Sequence, residues 1–108
     1  MSGKPSRDKG AAAEREVIRI LRDAGWPDAV RTSDGRAQDG RGDVLKGPDG
    51  FHIEIKRQER LNVPAAMLQA TADAGSELIP IGVHRPSRQQ WMVTVDLSVF
   101  LGLLIDES

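Results

Sequence analysis

The segment Phe-His-Ile-Glu-Ile-Lys at positions 51–56 constrains the fold of this chain more than any other part of the sequence. Apolar and polar residues alternate strictly in it, and successive side chains of a β-strand point to opposite faces of a sheet. The pattern predicts a half-buried strand whose three apolar side chains face the core. The opposite face carries three polar side chains, those of His52, Glu54 and Lys56.

A turn before this strand predicts a β-hairpin and sets its register. Gly47-Pro-Asp-Gly50 has turn composition and follows a short strand over residues 43–46. Antiparallel pairing about this turn places Asp43 directly opposite Glu54, with Cβ atoms ~5 Å apart. Two carboxylates at that distance repel by about 3 kcal/mol at an effective dielectric of about 20. The opposed acids therefore predict a cation between them.

The available donors indicate which cation this is. The chain has no cysteine, which excludes disulfides and Cys-ligated zinc. Carboxylate oxygens suit Mg²⁺, for which Mn²⁺ is expected to substitute. Lys56, on the same face as Glu54, can orient a water or stabilise charge that develops on a phosphate. These are the parts of metal-assisted phosphodiester hydrolysis, although an acid-x-Lys triplet is short and a surface hairpin with an ordinary Glu–Lys pattern stays open.

Helices and further strands are predicted on both sides of the hairpin. Apolar residues recur at helical spacing from about Asp8 to Ala24, and residues 34–42 hold three glycines and form a predicted loop. The remaining predicted elements are a strand over 29–33, a helix over 64–74, strands over 78–83 and 91–95, and a short helix in the apolar stretch 97–105. The order αβββαββ predicts an α/β fold in which a mixed β-sheet is flanked by helices.

Length and charge bound the kind of protein. At 108 residues the chain is expected to form one domain over 8–108, preceded by a disordered basic arm at 1–7. The net charge of −1 hides a gradient, since residues 1–22 carry six Lys/Arg against three acids and 61–108 carry two against five. The basic first half is where phosphates would be bound. No membrane span or signal peptide is recognised, so a cytoplasmic location is expected, including the host cytoplasm for a phage-encoded protein.

The combination of motifs resembles a known nuclease family. Gly42-Asp43 followed by Glu54-Ile55-Lys56 resembles the PD-(D/E)xK signature, and the wider layout is similar to archaeal-type Holliday junction resolvases, which also occur in phages. The opening Lys9-Gly-Ala-Ala-Ala-Glu14-Arg15 is similar to that family's opening, and the similarity runs over roughly 8–96. The resemblance implies a restriction-endonuclease-like fold with an αβββαβ core, Mg²⁺ dependence, and a homodimer that cuts four-way DNA junctions symmetrically.

Roles for individual residues follow from this resemblance. It implies that Asp43 and Glu54 are metal ligands, with Ile55 in the same metal set, and that Lys56 is the catalytic lysine. Glu14 matches a helix-borne acid that reaches the metal through water, and Ser33 matches a serine that supports catalysis. The departure is Gly42, where the signature has proline, and this is expected to loosen the strand entry. From the residues alone, Glu14 lies closer to the apolar stripe of its helix than Glu16 does, and a first-turn acid favoured by the helix dipole is the alternative for Glu14.

Further residues are candidates for DNA and for a partner subunit. The DNA-binding candidates are Lys9, Arg15, Arg31, Arg36, Arg41, Arg57, Arg60 and Gln69. Ordinary surface solubility is the alternative for the basic ones, and Asp39 could replace Asp43 only if the loop folded back. The stretch 97–105 is more apolar than so small a core can cover, which predicts a dimer contact, with an internal lid helix as the alternative. His52 is expected to be a strand-edge residue rather than a ligand.

The substrate stays open at this level. The same site would serve a nuclease for flaps, nicks or a sequence-specific duplex, and the fold could also carry a non-catalytic DNA-binding or dimerisation module. Branched DNA cut by a metal-dependent homodimer is the leading hypothesis.

Overall fold

The computed structural model describes residues 3–35, 42–86 and 88–106. The elements are α1 (Gly3–Ala24), β1 (Val30–Arg31), α2 (Thr32–Gly35), β2 (Val44–Leu45), β3 (Phe51–Lys56), α3 (Val63–Ala74), β4 (Ile79–His84), β5 (Met92–Thr94) and α4 (Leu97–Asp106). The predicted α/β fold with a mixed sheet is confirmed. Within these ranges no helix has the length and apolar character needed to cross a membrane.

The main sheet has the strand order β3-β4-β5. β3 and β4 are parallel, with Phe51 paired to Ile79 at one end and Lys56 to His84 at the other. Parallel neighbours need a crossover connection, and α3 supplies it. β5 returns antiparallel to β4 and forms the outer strand. β3, which carries the Glu-x-Lys motif, therefore forms the edge of this sheet opposite to β5.

The predicted hairpin between residues 43–46 and β3 is wrong. β2 pairs instead with β1 in a separate two-stranded antiparallel sheet. The chain just before β2 is linked to β3 by an isolated parallel bridge between Gly42 and Ile53. The physical reason is visible at Ile55, whose backbone N–H donates to the carboxylate of Asp43 at 2.7 Å. A side chain takes the place that a strand carbonyl would occupy in an antiparallel ladder.

The core lies between α1 and the sheet. The core is one cluster of buried aliphatic residues in which Ala13, Val17 and Ile18 of α1 meet Ile53 and Ile55 on the apolar face of β3. Its other members are Ala29, Val44 and Val83. The alternation predicted for β3 is therefore confirmed on its apolar face. This packing fixes α1 next to β3, which brings the acids of the two elements within reach of each other.

Two boundaries differ from those predicted. α1 begins at Gly3 rather than near Asp8, so residues 3–7, expected to be an arm, belong to the helix. Pro5 is compatible with this because the N–H groups of a first helical turn have no intrahelical acceptor. The strand predicted over 29–33 ends at Arg31, and Thr32 begins α2. The Thr32 hydroxyl donates to the Gly42 carbonyl at 2.6 Å, which joins the chain on the two sides of residues 33–41.

Candidate active site

Asp43 is held by backbone groups from two directions. Its N–H donates to the Ile53 carbonyl at 2.7 Å, and its own carbonyl accepts the N–H of Thr32 at 3.1 Å. Its carboxylate accepts the Ile55 N–H through Oδ2 at 2.7 Å. Within the described ranges no residue donates a hydrogen bond to Oδ1, so one oxygen is fixed and the other is available for a ligand.

Four residues predicted to carry the chemistry line one cavity of ≈ 540 Å³: Glu14, Asp43, Glu54 and Lys56. Glu14 comes from α1, Asp43 from the residue before β2, and the other two from β3. The lining also includes Ile55 and Arg57, both predicted site residues, and is completed by Gly10, Gln58 and Glu59. The structure thus brings together the acids and the lysine that the sequence singled out, although not by the predicted hairpin register.

The cavity disfavours negative charge at Asp43. Burial raises the pKa of this carboxyl, the N–H of Ile55 lowers it, and the nearby carboxylates of Glu54 and Glu14 raise it again, to about 6. Lys56 opposes the rise with the smallest of these effects. A carboxylate that is partly desolvated beside two others is stabilised by a cation in the same space. The donor set is all oxygen, which is the chemistry that Mg²⁺ and Mn²⁺ prefer.

The other two acids each have one fixed protein partner. Oε1 of Glu14 accepts the Nε–H of Arg31 at 2.9 Å, and both side chains are largely shielded from solvent. Oε1 of Glu54 lies 2.7 Å from Nε2 of His52. Lys56 lines the same cavity and forms no ion pair with any residue in the described ranges.

His52 is a buried residue of β3 whose contacts the sequence interpretation did not predict. It lies on an edge strand of the main sheet, as expected, but is only 2% exposed. With Glu54 and Asp73 it forms a group whose ligand atoms all lie within 4.8 Å of one another and could hold a metal ion. The alternation of β3 already placed His52 on the face of Glu54. What the sequence did not show is that α3, which carries Asp73, covers this face.

The remaining predicted residues lie away from the cavity or outside the description. Ser33 is exposed on α2 and does not line the cavity, and Arg60 and Gln69 are exposed on the segment after β3 and on α3. Lys9 belongs to α1, but its side chain lies outside the description. Arg36, Asp39 and Arg41 fall outside the described residues. Their roles stay predictions.

A second cavity, of ≈ 360 Å³, is strongly basic. Its lining contains the predicted DNA-binding residues Arg15 and Arg31 together with Arg19 and Arg22. Ile18 and Asp23 complete it. The sequence signal for the two unpredicted arginines was their spacing, because positions 15, 19 and 22 fall on one face of a helix. Arg31 connects the two cavities, since it lines this one and its guanidinium also binds Glu14 in the first.

The structure explains why residue 42 is glycine, and the explanation differs from the expected loosening of the strand entry. Its φ is +77°, and a Cβ added there would clash with the backbone of Ile53. Proline, which fixes φ near −65°, cannot adopt this conformation. The glycine therefore permits the close approach of the chain to β3 that positions Asp43.

Acids and a lysine around one cavity, on a mixed sheet flanked by helices, define the class of protein as a candidate nuclease. The chain belongs to the archaeal Holliday junction resolvase (Hjc) family, whose model matches residues 5–67. The match spans α1 to the first half of α3 and includes every residue that lines the acidic cavity. Membership indicates nuclease activity on DNA, and the fold is compatible with a restriction-endonuclease-like architecture. Neither a curated protein nor a solved structure matches the chain.

Proposed function

We propose that this protein is a Mg²⁺-dependent endonuclease that hydrolyses phosphodiester bonds of four-way DNA junctions in the cytoplasm. The observation that carries the proposal is the convergence of Glu14, Asp43, Glu54 and Lys56 on one cavity. Burial and like charge raise the pKa of Asp43 there. Proteins place acids together in this way where a cation or a reacting proton offsets the cost.

The residues present fit a divalent ion. Asp43 and Glu54 would hold it directly, Ile55 can offer its backbone carbonyl, and Glu14 would act through water. A bound divalent ion supplies charge neutralisation at the scissile phosphate and lowers the pKa of a water. These roles agree with an oxygen-only donor set that keeps part of the ion's hydration.

The chain's own groups complete the chemistry. The ammonium of Lys56 lines the same cavity as the acids, so it can orient the attacking water or stabilise charge on the phosphate oxygens. The Ile55 N–H keeps the Asp43 carboxylate in place. Arg31 does the same for Glu14. The acids are therefore oriented before DNA arrives, which lowers the reorganisation needed in the reaction.

Backbone phosphates of the junction would lie along α1. The basic cavity offers the guanidinium groups of Arg15, Arg19 and Arg22 beside the acidic one. Phosphate contacts of this kind position DNA without reading its sequence. Arg57 lines the acidic cavity and would contact the strand being cut. Lys9, Arg36, Arg41, Arg60 and Gln69 are kept as further contacts.

A homodimer through residues 97–105 fits the symmetric substrate. No described residue of α4 is buried, and Leu97 and Ile105 are each 70% exposed. β5 next to it is the outer strand of the sheet and exposes Val93 by 61%. An isologous contact across this surface would bury both and give two sites related by a two-fold axis. This exposure supports the dimer contact over an internal lid.

The test is cleavage of an immobile four-way junction by wild-type protein and by Asp43→Ala, with Mg²⁺ and with EDTA. We expect symmetric nicks in Mg²⁺ from the wild type and none from the variant or in EDTA. Asp49→Ala, which removes an exposed acid in the turn before β3, is the matched control and should cut normally. Junction cleavage by Asp43→Ala would disprove the mechanism. Equal cutting of linear duplex, flap or nicked DNA would disprove selectivity for junctions.

A further inference from the structure

We propose that His52 is a positioning residue that donates its Nε2–H to Oε1 of Glu54 and holds this carboxylate toward the cavity shared with Asp43. The inference rests on the proposed function, because it concerns a residue assigned to the metal site. It adds a role for a buried side chain that the catalytic set does not contain.

The geometry is that of a short, shielded hydrogen bond. Nε2 of His52 and Oε1 of Glu54 are 2.7 Å apart, and the side chains are 3% and 19% exposed. An ionised carboxylate has no proton to give, so the imidazole is the donor. Hydrogen bonds to an ionised group are shorter and stronger than neutral ones, and little water reaches this one to compete.

Glu54 needs such a donor more than Asp43 does. A glutamate has one more rotatable bond than an aspartate, so its carboxylate is less constrained by the backbone. Asp43 is fixed by the Ile55 N–H and Glu14 by Arg31. His52 supplies the corresponding donor for Glu54. Each of the three acids thus has one oxygen bound by a protein donor.

The contacts favour positioning over direct metal ligation by His52. The imidazole does not line the acidic cavity, and its Nε2 is already bonded to Glu54. Asp73, the third member of the group that could hold an ion, is exposed on α3. An ion bound there through Nε2 and Oε1 would replace the His52–Glu54 bond. Direct ligation is therefore the alternative that the experiment must separate.

Two substitutions of His52 isolate the donor. His52→Gln places an amide N–H near the position of Nε2, whereas His52→Leu keeps an apolar side chain of comparable reach and removes the donor. Isothermal titration of full-length protein with Mn²⁺ should show affinity within about threefold of wild type for Gln and 10- to 100-fold weaker for Leu, the usual loss when a residue behind a metal ligand is removed. His84→Leu removes the other histidine, which bonds Thr94, and should leave the affinity unchanged.

Cleavage kinetics and folding provide further readouts. The Mg²⁺ concentration for half-maximal cleavage should rise with the Leu variant and be restored by Gln, which a general packing defect would not produce. Thermal unfolding checks that each variant is folded. If Leu does not fold, His52→Asn replaces it, because an asparagine amide reaches the Nδ1 position and not Nε2. A Leu or Asn variant that binds Mn²⁺ as tightly as wild type overturns the proposal.

Nitrogen-15 spectra of the imidazoles test the bond without metal. The chain has two histidines, so the His52 signals are assigned by their loss in His52→Gln. We expect an Nε2-protonated ring whose signals shift in Glu54→Ala. An unchanged His52 signal in that variant overturns the hydrogen bond. If Mn²⁺ binds wild type and Glu54→Ala equally, the proposed metal site fails instead, and the spectra still decide the role of His52.

Zinc separates positioning from ligation. Were His52 a ligand, Zn²⁺ would bind wild type tightly, and His52→Gln and Asp73→Asn would both lose that binding. This result would also overturn the proposal. Zn²⁺ binding that depends on Asp43 and is indifferent to Asp73→Asn supports positioning.

Discussion

The two edges of the main sheet each have an unfavourable feature, and the two features differ. Carboxylates cluster at the β3 edge, and apolar side chains are exposed at the β5 edge. On the β3 side, Asp43 shares a cavity with Glu14 and Glu54, and burial together with these two carboxylates raises the pKa of Asp43 to about 6. On the β5 side, α4 leaves large apolar side chains such as Phe100 and Leu104 about half exposed, at 45% and 55%. A cation and a phosphate would stabilise the first region, and apolar surface from another molecule would stabilise the second.

The difference also follows the family match. The acidic cavity lies wholly within residues 5–67, and β5 and α4 lie wholly outside them. The part of the chain that the family model describes thus contains Asp43, whose pKa is raised by burial and by the neighbouring carboxylates. Substitutions in the two regions should accordingly affect different measurements, and four of them test this separation.

Lys56→Met should have the largest effect. Loss of the ammonium that assists the water or the phosphate is expected to lower junction cleavage by about 10²–10⁴-fold. Mn²⁺ affinity should be retained or become tighter, because a positive charge beside the ion has been removed. Lys46→Asn is the control, since Lys46 has φ +60°, which asparagine tolerates, and does not line the cavity. Loss of Mn²⁺ binding by Lys56→Met would show that the lysine maintains the site rather than the reaction.

Asp43→Asn should stabilise the metal-free protein above pH 6. The folded-state pKa of Asp43 is about 6 against an ordinary 3.8, so its contribution to stability is present below pH 4 and is lost as pH rises through 6. Two pKa units correspond to about 3 kcal/mol at most. The asparagine oxygen can still accept the Ile55 N–H, so the variant isolates the charge.

Urea unfolding in EDTA at pH 5 and pH 7.5 measures this effect. The stability difference between Asp43→Asn and wild type should grow with pH, and Asp49→Asn should show no such growth. Added Mg²⁺ should then stabilise wild type and not Asp43→Asn, since only a ligand bound to the folded state adds stability. If the stability difference between wild type and Asp43→Asn is the same at both pH values, the raised pKa of Asp43 is contradicted.

Local patterns could be predicted from the sequence, and the contacts between distant residues could not. The alternation of β3 placed Glu54 and Lys56 on one face, and the spacing of α1 placed Glu14 nearer the core than Glu16. The pairing of β2 was mistaken because the Asp43 side chain takes the Ile55 N–H, an outcome that turn composition does not encode. The burial of His52 depends on α3, which lies beyond the strand in sequence.

The same reasoning applies to the two acids of α1. Glu14 binds Arg31 and faces the cavity, whereas Glu16 accepts the indole N–H of Trp91 at 3.0 Å and pairs with Arg85 at 2.8 Å. Glu14 and Glu16 are two positions apart on α1, yet the first lies in the site and the second binds the segment between β4 and β5. The helical period predicts their different directions, but their partners, which follow them by 17 to 75 positions, are set by the tertiary fold.

A double substitution on α4 should weaken self-association and leave the metal site intact. Leu97→Ser with Ile105→Ser removes two side chains that are each 70% exposed in the single chain. Burying such a side chain contributes about 1.5–3 kcal/mol when complete, so partial burial predicts a 10- to 100-fold higher dimer dissociation constant. Sedimentation velocity measures it, and Ile20→Ser on α1, 47% exposed, is the control. An unchanged dimer dissociation constant would mean that the interface lies elsewhere. Weaker Mn²⁺ binding would mean that α4 and the metal site are energetically coupled.

Gly42→Ala should lower the stability of the protein and also weaken metal binding at the site. An alanine at φ +77° is strained, and its Cβ would clash with the backbone of Ile53 that anchors Asp43. Gly50→Ala is a close control, because Gly50 has φ +88° and a Cβ there meets nothing within 4 Å. Both variants should lose about 1 kcal/mol to the backbone strain, and Gly42→Ala a further ~3 kcal/mol from the clash, because backbone of β3 must move. The sharper difference is in function: displacement of Asp43 should weaken Mn²⁺ binding in Gly42→Ala alone. Equal stability and equal Mn²⁺ affinity of the two variants would mean that the close approach to Ile53 does not position the acid.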